Sequence, residues 1–370
     1  MKVPCVPGVI SAAQVSQTGA TIAELQLDSG MIPWFPGGHA DPWNHVEAAM
    51  ALATAGLTSE AERAYQWLLD RQRPDGSWHN YYLADGIEDP KLDVNCVAYI
   101  ATGIWHHYLT TGDRDFARSA FPAVDAALEF VLDLQTRRGE ILWARHPNGL
   151  PWSYALLTGS SSISHSLACG LELAALLGHT RPHWSVARDR LVSTIVDCPD
   201  AFEPKDRWAM DWYYPVLVGA VTGDDGLKLL WSRWDEFVME GRGVRCVSDQ
   251  PWVTAAETCE CAMAMLALGE RQPALELFAG ANALRDDDGA YFTGRVYPER
   301  INYPEGERSS YTAAAVILTA DALDGSNPTS SLLPTPGPPT PGPPTHCSQA
   351  AAERAALQMR RSTRREPTVR

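Results

Sequence analysis

The sequence predicts an all-α fold, an (α/α)6 toroid of six helical hairpins with a disordered C-terminal tail, on two observations. Before residue 326 apolar residues recur at helical spacing, and no segment sustains the period-two alternation of strands. The links between the helices alternate in length, short and then long. Twelve helices are expected, at approximately 9–26, 41–56, 59–72, 93–111, 115–135, 160–178, 182–197, 209–222, 225–239, 251–269, 271–284 and 309–323.

The short turns GLTSE, TGDRD, GHTRP, TGDDG and GERQP each offer Gly, Pro, Asp or Ser to end one helix and cap the next. Long loops fill the other junctions, at roughly 27–40, 73–92, 136–159, 198–208, 240–250 and 285–308. Alternating links of this kind place every long loop on one rim of a closed ring, where a site belongs. Helices after long loops, such as DVNCVAYIATGIWHHYLTT, SISHSLACGLELAALLG and SSYTAAAVILTADAL, are small and apolar and suit an inner ring. Those after short turns, such as SEAERAYQWLLDRQ, carry a charged outward face and suit the outer ring. A weak repeat closes several outer helices: LQLDSGMIPW (25–34), RQRPDGSW (71–78), LQTRRGEILW (134–143) and LRDDDGAY (284–291). Its glycine allows the turn and its aromatic covers the hairpin end, a structural role.

With 45% apolar and 20% charged residues, the 370-residue chain can bury one large core or two ordinary ones, which excludes disorder throughout. A net charge of -15 argues against nucleic acid or an anionic membrane surface as partner. No apolar run is long enough to span a membrane and the start lacks a signal-peptide pattern. Eight scattered cysteines with no CxxC pair indicate neither a disulfide scaffold nor a zinc site, and a cytoplasmic protein is expected. Residues 1–325 are read as one toroid domain. Residues 326–370, rich in Pro and Thr and then in Arg, are read as a disordered tail. The oligomeric state has no signature.

The long loops hold Trp34, Trp43, Trp78, Trp143, Trp152, Trp208 and Trp252. Indole faces beside carboxylates suit a saccharide, whose C–H faces stack and whose hydroxyls hydrogen-bond to charged groups; sealing the toroid also explains some of them. Asp41-Pro42 begins an inner helix as an N-cap with proline at N1, and Asp93 caps the helix carrying Asn95. Trp43 and Glu47, four apart, share a face, with Asn44 and His45 to its sides. On an inner helix Glu47 is a buried carboxylate that needs a partner or a substrate. Glu257 and Glu260 lie three apart on an otherwise apolar helix, so one of them faces the cavity or an arginine such as Arg245. His106 and His107 are assigned to packing, and Glu299, Glu305 and Glu307 with Arg295, Arg300 and Arg308 form either a surface network or a catalytic rim.

These residues resemble the six-hairpin glycosidases, most closely the glucoamylase family, over approximately residues 30 to 323. YPER (297–300) followed by SSYTAAAVILTA is similar to the segment carrying that family's general-base glutamate, which implies Glu299 as base. GEILWAR (139–145) is similar to the loop carrying its general acid, but Ala144 stands where the glutamate is expected. Inverting hydrolysis needs both an acid and a base, so either the match is displaced and Glu140 or Glu257 supplies the proton, or the chain binds sugar with little hydrolysis, or its chemistry differs. QRPDGSW also resembles the Gln-Trp repeat of squalene-type terpene cyclases, whose toroids the protein prenyltransferases share; the aspartate run 286–288 departs from the cyclase motif and no prenyltransferase zinc site is found.

The resulting expectation is an inverting glycoside hydrolase acting on an oligosaccharide or glycoconjugate. Its catalytic residues are Glu299 and Glu257, and Trp34, Asp41, Trp43, His45, Glu47, Trp78, Asp93, Asn95, Trp143, Trp152 and Glu305 bind substrate. No metal or organic cofactor is implied. An isoprenoid-converting toroid is the alternative, and a non-catalytic saccharide-binding protein the third reading.

Overall fold

A computed structural model describes residues 1–333 of the chain. The helices are α1 (Ala12–Leu25), α2 (Pro42–Thr54), α3 (Thr58–Leu69), α4 (Val94–Ala98), α5 (Ile100–Thr111), α6 (Arg114–Leu132), α7 (Leu157–Leu177), α8 (Pro182–Asp197), α9 (Ala209–Leu217), α10 (Gly223–Ser232), α11 (Trp234–Phe237), α12 (Ala255–Ala267), α13 (Arg271–Asn282) and α14 (Ser310–Asp324). Each expected helix is present; the one expected at 93–111 is divided at Tyr99, the one at 225–239 is divided at Arg233, and the one at 209–222 ends at Leu217.

Six positions form the inner ring: α2, then α4 with α5, then α7, α9, α12 and α14, each packed on the next, with α14 returning to α2. Alanine-rich faces let these helices approach closely, and Ala48, Ala49, Ala262, Ala314 and Val316 are fully buried. The outer ring is α1, α3, α6, α8, α10–α11 and α13. Five hairpins are continuous in the chain. The sixth pairs α14 with α1, at opposite ends of the described residues. The resemblance to a six-hairpin toroid therefore describes the fold.

The repeat at the ends of the outer helices has a physical explanation. Gln26, Gln72 and Gln135 each donate from Nε2 to the carbonyl of the repeat's glycine, Gly30, Gly76 or Gly139, at 2.9–3.1 Å. The same amide donates to a carbonyl of the next outer helix: Glu60, Ala123 and Ala187, at 2.8–2.9 Å. Each glycine has positive φ and lies against that helix, so a Cβ on Gly76 would stand 2.2 Å from the Ala126 carbonyl oxygen. At the fourth copy the Gly289 carbonyl accepts from Thr18 of α1, which closes the ring.

The long loops are not structureless. They contain the hairpin β1 (Tyr81–Leu83) and β2 (Gly86–Asp89), and the pair β3 (Leu92–Asp93) with β4 (Ala144–Arg145). An antiparallel meander joins β5 (Val238–Met239), β6 (Gly243–Arg245), β7 (Trp252–Thr254), β8 (Gly294–Val296) and β9 (Ile301–Asn302). Strands of two to four residues are too short to display a period of two, which is why the pattern does not announce them.

The folded chain runs past the expected boundary at 325. A 3-10 turn at Pro328–Ser331 packs on α14 and α5, and Asn327 and Thr329 both donate to the buried Asp321 carboxylate. The remainder of the expected tail, from residue 334, lies outside the described residues.

Gly76→Ala is expected to lower stability by roughly 2 kcal/mol or more, because it adds a clash to the backbone strain. Gly178→Ala has positive φ but nothing within 4 Å, and is expected to cost about 1 kcal/mol. Urea denaturation of both variants measures the difference. Equal losses would remove the clasp from its structural role.

Candidate active site

The toroid encloses a cavity of about 230 Å3 that opens on the long-loop rim. Trp34, Trp43 and Trp252 stand around it, with Glu47, Glu257 and Glu260 among its polar lining. The walls come from α2, α9, α12 and α14, so the acids sit on helices separated by one ring position.

Glu47 is held from the second turn of α2. Trp43 Nε1 and the Tyr99 hydroxyl both donate to Oε1, at 2.9 and 3.0 Å; Oε2 has no donor among the described residues. Burial pushes the carboxyl up to about 7 against these two hydrogen bonds, and the Asp41 charge adds to the rise. Glu260 lies one turn deeper on α12, buried, with the Tyr213 hydroxyl donating to Oε2. Burial and then the Glu47 charge hold it well above the carboxylate range. No arginine or lysine is among the causes of either shift; of the two expected settings, cavity or arginine, Glu257 and Glu260 take the cavity, and Arg245 Nη1 donates to the Glu236 carbonyl.

Glu257 stands in the first turn of α12, half-exposed on the cavity wall. An acid there is favoured by the helix dipole. Its charge raises the Cys246 thiol, whose shift comes first from burial. Around this acid pair the aromatic lining is fixed by packing. Trp34 meets Tyr311 edge-on at 5.1 Å, and Trp43 meets Tyr99 and Tyr214 at 5.7 and 5.9 Å. Met210, Ala256 and Ala315 supply apolar patches between the rings. The arrangement offers two carboxyls, Glu47 and Glu260, whose protonated form burial favours, a third acid at Glu257 on the wall, and indole faces between them.

The structure brings Trp34, Trp43, Glu47 and Glu257 together in the cavity. Asp41, the cap of α2, is buried and outside the lining but holds two lining residues, accepting from Trp34 Nε1 at 2.7 Å and from Asn44 Nδ2 at 2.8 Å. Asp93 repeats this in the next sector, capping α4 and accepting from Trp143 Nε1 at 2.6 Å. Asn95, Trp143 and Trp152 stand in that sector, outside the cavity lining.

Four expected site residues are elsewhere. Glu299 is exposed in the turn between β8 and β9, outside the cavity. Glu305 is exposed on a separate groove of about 610 Å3 between α1 and the 304–310 segment. Both ring nitrogens of the buried His45 are engaged by backbone, the Ile32 amide and the Ala64 carbonyl, and burial lowers the imidazole to about 4. Trp78 is buried in the core and donates to the Leu68 carbonyl. Glu140 accepts from Thr136 within its own turn, and Ala144 is fully buried opposite Asp93 in the β3–β4 pair. Sequence reasoning noted Glu260 without assigning it to the site, and it missed Tyr99, Tyr213, Tyr311 and Met210. A tyrosine inside an otherwise small-residue inner helix is the signal that marks such positions.

Folding raises the Glu47 carboxyl from its ordinary 4.5 to about 7. The protonated form is therefore bound more tightly by the folded state. Its contribution is complete below about pH 4.5 and lost as pH rises through 7. Stability is expected to fall by about 3 kcal/mol across that window, and Glu47→Gln to flatten the slope. Thermal midpoints measured at intervals from pH 5 to 8 would show it; parallel curves would refute the assignment.

No known family profile matches the chain. A curated protein of Mycolicibacterium hassiacum (strain DSM 44199 / CIP 105218 / JCM 12690 / 3849), an MMP endo-(1,4)-3-O-methyl-alpha-D-mannosidase, is 50% identical over 330 residues, which cover 89% of this chain and 91% of that protein. Among solved structures, a glycosidase variant in complex with glucose superposes with a TM-score of 0.65 at 15% identity, covering 87% of this chain and 98% of the other. The GH63 mannosylglycerate hydrolase from Thermus thermophilus in complex with glucose gives 0.63 at 14% identity, with 83% and 99% covered. A D-mannose isomerase gives 0.65 at 10% identity, with 83% and 96% covered. At such identities these structures establish the toroid alone, and an isomerase among them shows that the fold does not select the chemistry.

Proposed function

Since the chain belongs to the family of that MMP endo-(1,4)-3-O-methyl-alpha-D-mannosidase, and is by that membership a glycoside hydrolase, we propose that it cuts α-(1,4)-linked 3-O-methylmannose chains internally, with Glu47 as general acid and Glu257 as general base. The isoprenoid alternative is not favoured. The observation that carries this reading is the pairing of a carboxyl raised to about 7 with a second, half-exposed carboxyl across one aromatic cavity.

The roles follow from the surroundings of each acid. Trp43 and Tyr99 both occupy Oε1 of Glu47, so its proton resides on Oε2, directed at the glycosidic oxygen as the bond to the anomeric carbon breaks. Glu257 takes a proton from water as that water attacks the same carbon from the other face, in one inverting displacement. Glu260, deeper and tied to Tyr213, is held protonated first by burial and then by the Glu47 charge, so it adds no charge to the floor. Trp34 and Trp43 offer stacking faces. Met210, Ala256 and Ala315 suit methyl ethers, which donate no hydrogen bond and are favoured by apolar neighbours.

Glu47→Gln and Glu257→Gln are each expected to reduce kcat on such a chain by roughly 1,000-fold. The variants should differ in rescue. An activated aryl leaving group, which needs no proton, restores Glu47→Gln; azide restores Glu257→Ala and yields a glycosyl azide. Proton NMR of the first product should show the β anomer from an α linkage. Full activity in either Gln variant would overturn the assignment.

A further inference from the structure

A second aromatic surface stands on the same rim, one ring position from the cavity. Trp143 stacks on Tyr154 at 5.5 Å, and Trp152 meets these two rings edge-on at 4.8 and 5.8 Å. His146 stacks on Trp152 at 4.8 Å, and Lys91 Nζ lies 4.3 Å from the Trp143 ring. All three larger rings are half-buried, yet none belongs to the hydrophobic core or packs against it. Core sealing does not explain them.

Two buried polar atoms here lack partners among the described residues. Trp152 Nε1 meets no acceptor, and Asn95, only 3% exposed, has no donor for Oδ1. Leaving such groups unpaired costs on the order of 1–3 kcal/mol each, which a bound hydroxyl would offset. Asn95 sits in the single turn of α4 that Asp93 caps, and Asp93 fixes Trp143. Gly159 at the start of α7 lies directly beside Asn95, where a Cβ would stand 3.6 Å from Asn95 Cβ in ordinary van der Waals contact. The sector thus repeats the construction at the cavity, where Trp34 donates to the cap of α2 and polar groups lie beneath.

We propose that Trp143, Trp152 and Tyr154, with Asn95 at their inner edge, form a second saccharide-binding subsite that holds substrate residues remote from the bond being cut. This rests on the reading of the cavity as a glycosidase site. Cleavage within a chain needs a hold on sugar beyond the reacting bond, and neutral rings are held by indole faces and by donors and acceptors rather than by charge.

The test compares full-length protein with Trp152→Ala and Trp152→Phe on α-(1,4)-linked 3-O-methylmannose oligosaccharides of graded length. Trp152→Ala is expected to raise KM for the longest chains roughly tenfold relative to the shortest chain cut, and to move the preferred cleavage point. Trp152→Phe, which keeps a ring and loses the N–H, should fall between. Equal effects at every length, or none, would overturn the subsite; circular dichroism identical to wild type separates this from misfolding. If the wild type cuts no such chain, the reading of the cavity fails instead. The subsite is then judged by titration calorimetry with a panel of neutral oligosaccharides: binding weakened in Trp152→Ala sustains it, and binding that is absent or unchanged refutes it.

Discussion

One side-chain amide, repeated, sets the geometry of the ring. At Gln26, Gln72 and Gln135 an Nε2 group joins the turn that ends one outer helix to a carbonyl of the next, and a glycine lies between with no room for a Cβ. Carbonyls near helix ends need donors from outside the helix, and this amide supplies one where two hairpins meet. The rotation from hairpin to hairpin is fixed as a result. The rim loops then leave the ring at set positions, and the aromatic that ends each repeat arrives in a different sector.

Those aromatics have different fates. Trp34 reaches the cavity and Trp143 the neighbouring surface, each donating to an aspartate that caps an inner helix. Trp78 and Tyr291 turn inward and are buried, one bonded to the Leu68 carbonyl and the other to Asn282. The repeat fixes where a ring starts, and the loop that follows decides whether it faces the rim or the core. The cavity itself gathers three acids and no cation among its lining residues, and burial rather than ion pairing decides the protonation of Glu47 and Glu260. Tyrosine hydroxyls and an indole N–H hold the acids in place without neutralising them.

The toroid was legible in the sequence because helix periodicity and the alternation of link lengths are local properties that survive in any packing. The inner helix faces were legible too, since Glu47 and Glu257 are conspicuous on alanine-rich segments. The short strands were not, because two to four residues cannot carry a period. The roles expected for Glu299 and Glu305 rested on short motifs, and their side chains follow hairpin turns that only the assembled rim defines. His45 shows the same limit from the other side: it lies two residues from Trp43, yet a helical rotation of about 200° turns it to the Ile32 and Ala64 backbone. Its neighbours in sequence say nothing of that partner.

The sixth hairpin has its two arms at opposite ends of the described chain. Thr18 of α1 meets the Gly289 carbonyl across 271 residues, and α1 packs on α14. Part of the α1 surface meets α2 and α3, which follow it directly, but its packing is complete only when α14, which begins at Ser310, has been made. Closure of the ring is a late event in the life of each molecule, and α1 is among the last of the described helices to have its packing completed. The nascent toroid is a thing that chaperones would meet as an open crescent with a sticky leading edge.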